Sequence, residues 1–170
     1  MNKILVTGGS GFIGTNLIEH YKSIGDEVFS IDIKHPRNIE HIDQWHKVDI
    51  LDKDKLTTII KEIEPNIVFH MAARTDLNGL NVDSYDVNTK GIENLISALN
   101  EIKTLDFVVF ASSMLVCRLG YKPSSEADYC PNTPYGKSKV IGEELIRSSN
   151  INFPWVIVRP TSIWGPWFAT

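Results

Sequence analysis

The chain has 170 residues, of which 42 % are hydrophobic and 22 % are charged, as is typical of one globular domain and not of a disordered or fibrous protein. Its formal net charge of −4 argues against a nucleic-acid-binding or lipid-binding surface. No apolar run is long enough to span a bilayer, and too few residues precede the first glycines for a signal peptide. Two cysteines, Cys117 and Cys130, are too few for a disulfide framework and indicate a reducing compartment. We therefore expect a cytoplasmic protein without nucleic-acid or membrane partners.

Short apolar segments rich in Val, Ile and Phe recur along the chain without alternating with polar residues. Such segments are typical of strands that are buried on both faces of a parallel sheet. In chain order the predicted strands are Ile4–Val6, Val28–Ile31, a weaker one around His46–Val48, Ile67–Phe69, Phe107–Phe110 and Trp155–Val158.

Segments with the apolar spacing of amphipathic helices lie between these strands. They are Phe12–Ile24, Asp54–Ile63, Ser84–Ile102 and Tyr135–Ser148. Strands that alternate with helices predict an α/β fold, a doubly wound parallel sheet of the Rossmann type with helices on both faces. The longest irregular stretch, Met114–Pro134, is longer than most loops of compact domains, which favours a functional role for it.

A glycine-rich turn with the sequence TGGSGFIG joins the first predicted strand to the first predicted helix. Glycine at Gly8 and Gly11 allows positive φ angles and lets the backbone approach a pyrophosphate closely. The helix that begins with Phe12 and Ile13 directs its free N–H groups and its positive dipole end towards the phosphates, and Gly14 allows close packing on the sheet. The turn therefore predicts a dinucleotide site.

An acidic residue, Asp32, ends the second predicted strand and follows Gly14 by 18 residues. This spacing is close to the roughly 20 residues expected for a carboxylate that binds the ribose. A tight turn followed by a solvated aspartate is the alternative interpretation. A carboxylate at this position accepts hydrogen bonds from ribose hydroxyls and repels a 2′-phosphate, which favours NAD over NADP. Lys34 and Arg37 lie nearby in the sequence and are suited to binding a phosphate, so NADP remains the second choice.

A tyrosine and a lysine, Tyr135 and Lys139, are four residues apart and so share one face of a helix. An ammonium group about 4 Å from a phenol contributes roughly 4 kcal/mol, enough to lower the tyrosine pKa from about 10 to near 7. Such a phenol transfers protons efficiently in either direction. Ser112 and Ser113 follow the fifth predicted strand, at the sheet edge where ligands of parallel sheets bind. Either pair by itself has a structural alternative, a surface helix pair or a strand-end cap, but their common order with the glycine turn favours a catalytic set.

Together these motifs resemble the extended short-chain dehydrogenase/reductase family, the NAD-dependent epimerase/dehydratase group that acts mostly on nucleotide sugars. The resemblance covers the whole chain. It is carried by Gly8, Gly11 and Gly14 in TGGSGFIG, by Asp49-Ile50, by His70-Met71-Ala72-Ala73, by Asn88 in VNTKG, by Tyr135 and Lys139 in PYGKSK, and by Pro160 in VRPTSIWGP.

The resemblance implies a role for each of these residues. Tyr135 would take the proton from a sugar 4-hydroxyl while a hydride passes to NAD, Lys139 would lower the tyrosine pKa and hold the nicotinamide ribose, and Ser113 would supply the third hydroxyl. The remaining cofactor contacts that it implies are Asp49 and Ile50 at the adenine, Met71, Ala72, Ala73 and Asn88 along the cofactor, Ser112, and Pro160 near the nicotinamide. His70 is expected to pack at a strand end and not to act in catalysis, and no metal site is predicted.

Two departures from the family pattern affect the expected activity. Val116-Cys117-Arg118 replaces the family's V-Y-G, and Met114-Leu115 replaces the Asp-Glu pair of the dehydratases. The second change disfavours a dehydratase, because it removes the acid and base for loss of water. We therefore expect an NAD-dependent nucleotide-sugar epimerase or 4-reductase. A reductase of a non-sugar substrate and a non-catalytic NAD-binding regulatory protein stay open, and the sequence does not reveal the sugar or the base.

The resemblance also implies an assembly and a missing part. We expect a homodimer that forms through Ser84–Ile102 and Tyr135–Ser148. Residues 1–170 are expected to form the NAD-binding Rossmann domain and to lack a C-terminal substrate-binding part, so that the chain binds the cofactor without turning over substrate. Aromatic residues that the missing part would cover should then form an exposed patch, made of Trp155, Trp164, Trp167 and Phe168.

Overall fold

A computed structural model describes residues 1–168 and contains a six-stranded sheet in which every pairing is parallel. The strands are β1 (Lys3–Thr7), β2 (Glu27–Asp32), β3 (Trp45–Lys47), β4 (Ile67–His70), β5 (Phe107–Ala111) and β6 (Trp155–Val158). Their order across the sheet is β3-β2-β1-β4-β5-β6, which confirms the predicted Rossmann-type topology. The order reverses between β1 and β4, so the ligand crevice of such a sheet opens at their carboxyl ends.

Helices cover both faces of the sheet, as predicted. They are α1 (Phe12–Ser23), α2 (Lys53–Ile63), α3 (Lys90–Leu99) and α4 (Pro134–Ser148), with short 3₁₀ helices at Ile39–Gln44, Val82–Asn88 and Met114–Val116. On one face Ile18 of α1 packs against Ile4, Val6 and Val28, whereas the larger core on the other face includes residues of α2, α3 and α4. Within residues 1–168 no helix is long and apolar enough to cross a membrane.

The predicted helix Ser84–Ile102 is wrong in its first third, where the structure has a 3₁₀ helix and a kink before α3. Tyr85 has non-helical backbone angles (φ −121°, ψ 35°). Its side chain is fully buried, and its hydroxyl donates to the carbonyl of Asp76 (2.8 Å) and accepts from the amide of Gly79 (3.0 Å). These two hydrogen bonds to a preceding loop keep Tyr85 in a non-helical conformation. Apolar periodicity does not reveal such a non-local constraint. The homodimer expected through this segment stays a prediction.

The predicted aromatic patch is confirmed in part. Trp164, Phe168 and Trp167 are 82 %, 56 % and 37 % exposed. Trp155, however, is half-buried and packs against the larger core, because it starts β6 beside Val108 of β5. The expectation of an exposed indole is therefore wrong for Trp155.

A buried ion pair connects α4 to the end of β6 and to the segment that precedes α4. Glu143 on α4 is almost fully buried, and Arg159 donates to both of its carboxylate oxygens (2.8 and 2.6 Å). The Tyr129 hydroxyl donates to the same carboxylate (2.9 Å), and Arg159 also donates to the carbonyl of Glu126 (2.6 Å). Burial by itself would raise the pKa of Glu143, but the hydrogen bonds from Arg159 and Tyr129 outweigh it and keep that pKa below its ordinary value. The group is therefore ionised at neutral pH.

We predict that Arg159→Ala lowers the free energy of unfolding by about 3 kcal/mol at pH 7, because it leaves a buried carboxylate without its charged partner. Because the pKa of Glu143 is lowered in the folded protein, the stabilisation by its ion pair with Arg159 is present above the ordinary glutamate pKa and is lost as the pH falls through the native pKa. The difference in the free energy of unfolding between wild type and variant should therefore become smaller in acid. Denaturant unfolding at several pH values measures it.

The matched control is Arg147→Ala, which removes a more distant contact to Glu143 (3.9 Å) and one to an exposed glutamate. This change should cost less than about 1 kcal/mol, as is usual for surface pairs. Equal effects of the two variants at pH 7 would contradict the structural role of Arg159.

Candidate active site

The glycine-rich segment from the end of β1 to the start of α1 leaves no room for side chains at three positions, Gly8, Gly9 and Gly14. Gly8 has a φ of +72°, and a Cβ atom there would lie 2.6 Å from the backbone nitrogen of Ala72. A Cβ atom on Gly14 would lie 2.3 Å from the carbonyl oxygen of Gly8. No side chain of the described residues caps the helix at Gly11. The first N–H groups of α1 are therefore available to an anion, and the backbone around them permits close approach.

Asp32 lies at the carboxyl end of β2, beside the turn. Its two carboxylate oxygens accept hydrogen bonds from the backbone amides of Ser10 (3.0 Å) and Lys34 (2.9 Å). Each oxygen keeps a lone pair for a further donor. The Arg37 guanidinium donates to the carbonyls of Ser10 (3.1 Å) and Trp167 (2.6 Å), so it already has partners at the rim of the turn. This arrangement fixes a carboxylate that can accept two hydroxyl groups.

Other residues predicted for the cofactor lie at the carboxyl edge of the sheet. Asp49 is exposed after β3, and Ile50 is buried beside it, against Gly91 of α3. The half-buried residues Met71, Ala72 and Ala73 continue β4 past the turn, and Pro160 follows β6. The carbonyl of Pro160 accepts from the amide of Met114 (3.2 Å), which fixes the segment after β6 against that after β5.

The structure brings Ser113, Tyr135 and Lys139 together beyond the end of β5. All three are buried, with 8 %, 7 % and 5 % of their surface exposed. Burial raises the pKa of Tyr135 above its ordinary value, and the neighbouring Ser113 hydroxyl opposes this rise. The Ser113 hydroxyl also accepts from the amide of Leu115 (3.1 Å), which orients it at the start of a 3₁₀ helix. A serine and a tyrosine hydroxyl thus share one buried site.

Lys139 has the place on α4 that the sequence predicts, but its effect on Tyr135 differs from the expectation. Its ammonium group donates to the carbonyl of Ala111 (2.9 Å). Burial lowers the pKa of Lys139 to about 8, and the charge of Glu143 opposes this. The pKa of Tyr135 is raised and not lowered, because burial of the phenol is the largest influence on it.

His70 ends β4 beneath this site and is fully buried. Its Nδ1 atom is 2.7 Å from the Thr7 hydroxyl, and its ring packs edge-on against Phe110. Burial, followed by the positive charge of Lys139, lowers the pKa of His70 to about 3. The ring is therefore neutral at physiological pH, which agrees with the packing role that the sequence predicts.

The side chain of Asn88 is buried and makes hydrogen bonds to Arg74 and to Ser138 of α4. Its side-chain amide donates to the carbonyl of Arg74 (3.0 Å) and to the hydroxyl of Ser138 (3.0 Å), and its oxygen accepts from the amide of Arg74 (2.9 Å). Both amide hydrogens are thus used, so any direct contact with a cofactor falls to the oxygen. Only the motif VNTKG marked this residue in the sequence.

Two residues beside the site, Tyr85 and Arg74, carry no recognisable sequence signal, and the contact of Ser112 with Glu143 carries none although the position of Ser112 is predicted. Tyr85 lies with its ring centroid 5.9 Å from that of Tyr135, and Arg74 stacks over the Tyr85 ring at 5.1 Å. The Ser112 hydroxyl is buried beside Glu143 and helps to lower its pKa, although no hydrogen bond of good geometry joins it to any residue from 1 to 168. These contacts depend on tertiary packing, which residue spacing does not reveal.

The fold agrees with the folds of known proteins. A sterol-4-alpha-carboxylate 3-dehydrogenase (decarboxylating) of Saccharomyces cerevisiae is 30 % identical, over 98 % of this chain and 52 % of that protein. A putative UDP-glucose 4-epimerase of Methanocaldococcus jannaschii is 32 % identical over 95 % of this chain and 56 % of that protein. The crystal structure of UDP-glucuronic acid 4-epimerase from Bacillus cereus, in complex with UDP-glucuronic acid and NAD, superposes with a TM-score of 0.76 at 30 % identity, over 92 % of this chain and 55 % of that one.

This chain thus spans about half the length of the relatives that it matches. The model of the NAD dependent epimerase/dehydratase family, a family of enzymes, matches residues 4–170, nearly the whole chain. The glycine turn, the aspartate that follows it and the Ser113, Tyr135 and Lys139 cluster lie at the edge of the sheet where this fold binds ligands. The chain belongs to the NAD-dependent epimerase/dehydratase family.

Proposed function

We propose that the chain is the cofactor-binding part of an NAD-dependent enzyme that oxidises and reduces C4 of a nucleotide sugar, as an epimerase or a 4-reductase. The observation that carries this proposal is the burial of Ser113, Tyr135 and Lys139 together at the carboxyl edge that also holds the glycine turn. Relatives named as UDP-glucose 4-epimerases support the substrate class.

The residues around the glycine turn fit NAD. The uncapped start of α1 and the crowded glycines Gly8 and Gly14 suit a pyrophosphate, with Phe12 and Ile13 offering their backbone amides. Asp32 has acceptor capacity left for ribose hydroxyls. When bound, NAD would supply a hydride acceptor that later returns the hydride. Structures of related epimerases in complex with NAD support this assignment.

Tyr135 is the group that we assign to proton transfer. Its raised pKa keeps the phenol protonated at neutral pH, so it can donate to the oxygen of a carbonyl at C4. To take a proton from a 4-hydroxyl it needs positive charge nearby, which Lys139, largely protonated below its pKa of about 8, supplies. Ser113 would hold the same substrate oxygen through its hydroxyl.

A second candidate is a dehydrogenase that acts on the hydroxyl group of a non-sugar substrate such as a sterol. The yeast sterol-4-alpha-carboxylate 3-dehydrogenase matches 98 % of this chain. In addition, Leu77 and Leu80 are 58 % and 94 % exposed on the loop that leads to Tyr85. Exposed apolar side chains on such a loop are suited to contact with an apolar substrate. Proton transfer by Tyr135 would be the same in both candidates.

Incubating the intact protein with NAD and UDP-glucose tests the first candidate, with proton NMR following inversion at C4. We expect inversion, and no net NADH formation from a 3-hydroxysterol carboxylate assayed in parallel. The 170-residue chain alone should bind NAD in calorimetry without turnover. Holding a substrate in the reactive orientation is worth about 7–11 kcal/mol of the barrier, and this chain spans only about half the length of the relatives that it matches.

Sterol oxidation by the intact protein together with no inversion of UDP-glucose would replace the first candidate by the second. Efficient epimerisation by the 170-residue chain would contradict the expectation that substrate residues lie outside it. NAD binding without turnover of any alcohol by the intact protein would instead favour the regulatory alternative.

We predict that Tyr135→Phe in the intact enzyme lowers kcat by about 10²–10⁴-fold, because the side chain loses its transferable proton while keeping its shape. The affinity for NAD should change by less than about twofold, since the lost hydroxyl belongs to the proton-transfer site. Lys139→Ala should weaken both turnover and NAD binding. Stopped-flow turnover and calorimetry measure the two quantities separately.

The matched control is Tyr121→Phe, which removes a phenol hydroxyl bonded to Asp128 in the loop outside the site (2.7 Å). It should leave kcat within about twofold of wild type. If Tyr135→Phe keeps most of the activity, proton transfer has to be assigned to another group.

We predict that NAD binds at least about tenfold more tightly than NADP, since Asp32 would face the 2′-phosphate. Two of the five N–H groups of Arg37 already donate to the carbonyls of Ser10 and Trp167, which limits how far this side chain can move to bind a 2′-phosphate. Asp32→Ala should reduce this difference in affinity between NAD and NADP, whereas the exposed control Asp43→Ala should leave the difference unchanged. Calorimetric titration with both dinucleotides measures it, and equal affinities in the wild type would refute the role of Asp32.

A further inference from the structure

Two cysteines face each other between the segments that carry Ser113 and Tyr135. Cys117 directly follows the 3₁₀ helix that Ser113 begins, and Cys130 lies shortly before the N-terminus of α4. The two residues form an isolated parallel bridge. Its hydrogen bonds run from the amide of Cys130 to the carbonyl of Val116 (3.0 Å) and from the amide of Arg118 to the carbonyl of Cys130 (2.8 Å).

This pairing suits a disulfide. Paired β segments lie about 4.7–4.9 Å apart, and disulfide-linked residues have Cα atoms about 4.4–6.8 Å apart. Side chains of residues directly opposite each other project to the same side of the pair. The Cys117 sulfur lies 3.5 Å from the carbonyl oxygen of Asp128, so it points towards the segment that carries Cys130.

Both cysteines lie beside Asp128 in this loop. The Cys117 thiol contacts the carbonyl of Asp128 (3.5 Å), and Cys130 follows Asp128 by two residues in the chain. Both cysteines are free thiols, and they are the only two of the chain.

The two thiols differ in access. Cys130 is partly exposed and can meet a reagent from solvent, whereas Cys117 is buried. An exposed attacking thiol beside a buried partner is the arrangement in which one cysteine reacts first and the other resolves the product. Cysteines of reducing compartments that form disulfides are commonly redox-responsive and not structural.

We propose that Cys117 and Cys130 form a redox-responsive dithiol that small-molecule disulfides convert into an intramolecular disulfide. The Cys130 thiolate attacks one sulfur of the oxidant RS–SR, so that the S–S bond breaks, a mixed disulfide forms and RS⁻ leaves. The Cys117 thiolate then attacks the Cys130 sulfur and releases the second RS⁻. The protein loses two electrons to the oxidant, and the two cysteine protons end on the two released thiols.

The bond would constrain the candidate active site. It would join the segment after Ser113 to the segment before Tyr135, and so limit how these two hydroxyls move relative to each other. This consequence rests on the proposed function, whereas formation of the disulfide does not. Oxidation thus gives the loop between β5 and α4 a second, covalently closed state.

The test uses the full 170-residue chain with oxidised glutathione as the probe and requires neither NAD nor a sugar. We expect the number of titratable thiols to fall from two to zero and the mass to fall by two hydrogen atoms, without glutathione on the product. Peptide mapping without reduction should find Cys117 linked to Cys130. Excess dithiothreitol should restore both thiols.

The single variants separate the two steps. Cys117→Ser should hold a stable glutathione adduct on Cys130, because the resolving thiol is gone. Cys130→Ser should react about tenfold or more slowly, because the remaining thiol is buried. Mapping of the wild type is independent of how well the variants fold. A wild-type product that keeps glutathione on Cys130, joins two chains, or retains both thiols would overturn the proposal.

Discussion

The candidate site depends on one buried carboxylate, that of Glu143. This group lies one helical turn after Lys139 on α4, and without partners its burial would be strongly unfavourable. Arg159 from the end of β6 and Tyr129 from the preceding segment supply those partners. Because the carboxylate needs both, α4 cannot shift along the sheet without breaking charged hydrogen bonds. The helix that carries Tyr135 is thereby fixed to the strand edge where ligands bind, and the buried Ser112 hydroxyl lies against the same group.

A second constraint is steric and holds the opposite half of the site. The backbone of Gly8 approaches that of Ala72 so closely that even a methyl group does not fit. This contact joins the ends of β1 and β4, where the strand order of the sheet reverses. Polar contacts extend it, since the carboxylate of Asp32 accepts from Ser10 and the carbonyl of Ser10 accepts from Arg37. The side of the crevice at the glycine turn is thus held by backbone packing and by side-chain-to-backbone bonds, whereas the side at Ser113 and Tyr135 is held by buried charge.

The sequence predicts most of the fold, because the information that defines it is local. Five apolar runs and a weaker signal around His46–Val48 identify the six strands to within one residue at each end, and the glycine turn locates the start of α1 at Phe12. The error at Ser84–Ile102 has a non-local cause, since the hydroxyl of Tyr85 is bonded to a loop that precedes it. Spacing likewise places Tyr135 and Lys139 on one helix face. It does not reveal that Arg159, a residue of another element, stabilises that helix.

The electrostatics of Tyr135 show why residue spacing alone does not determine the chemistry. A lysine four residues away would acidify a tyrosine if its charge acted on the phenol without competition. Here the ammonium group of Lys139 donates to the carbonyl of Ala111 and interacts with the charge of Glu143. Burial of the amine also lowers the pKa of Lys139 to about 8. Burial of the phenol meanwhile raises the pKa of Tyr135, with only the Ser113 hydroxyl opposing it. Burial of the phenol therefore keeps the proton on the tyrosine. In the proposed reaction this favours donation to a carbonyl, and abstraction from an alcohol relies on the positive charge of Lys139, which is largely protonated below its pKa of about 8.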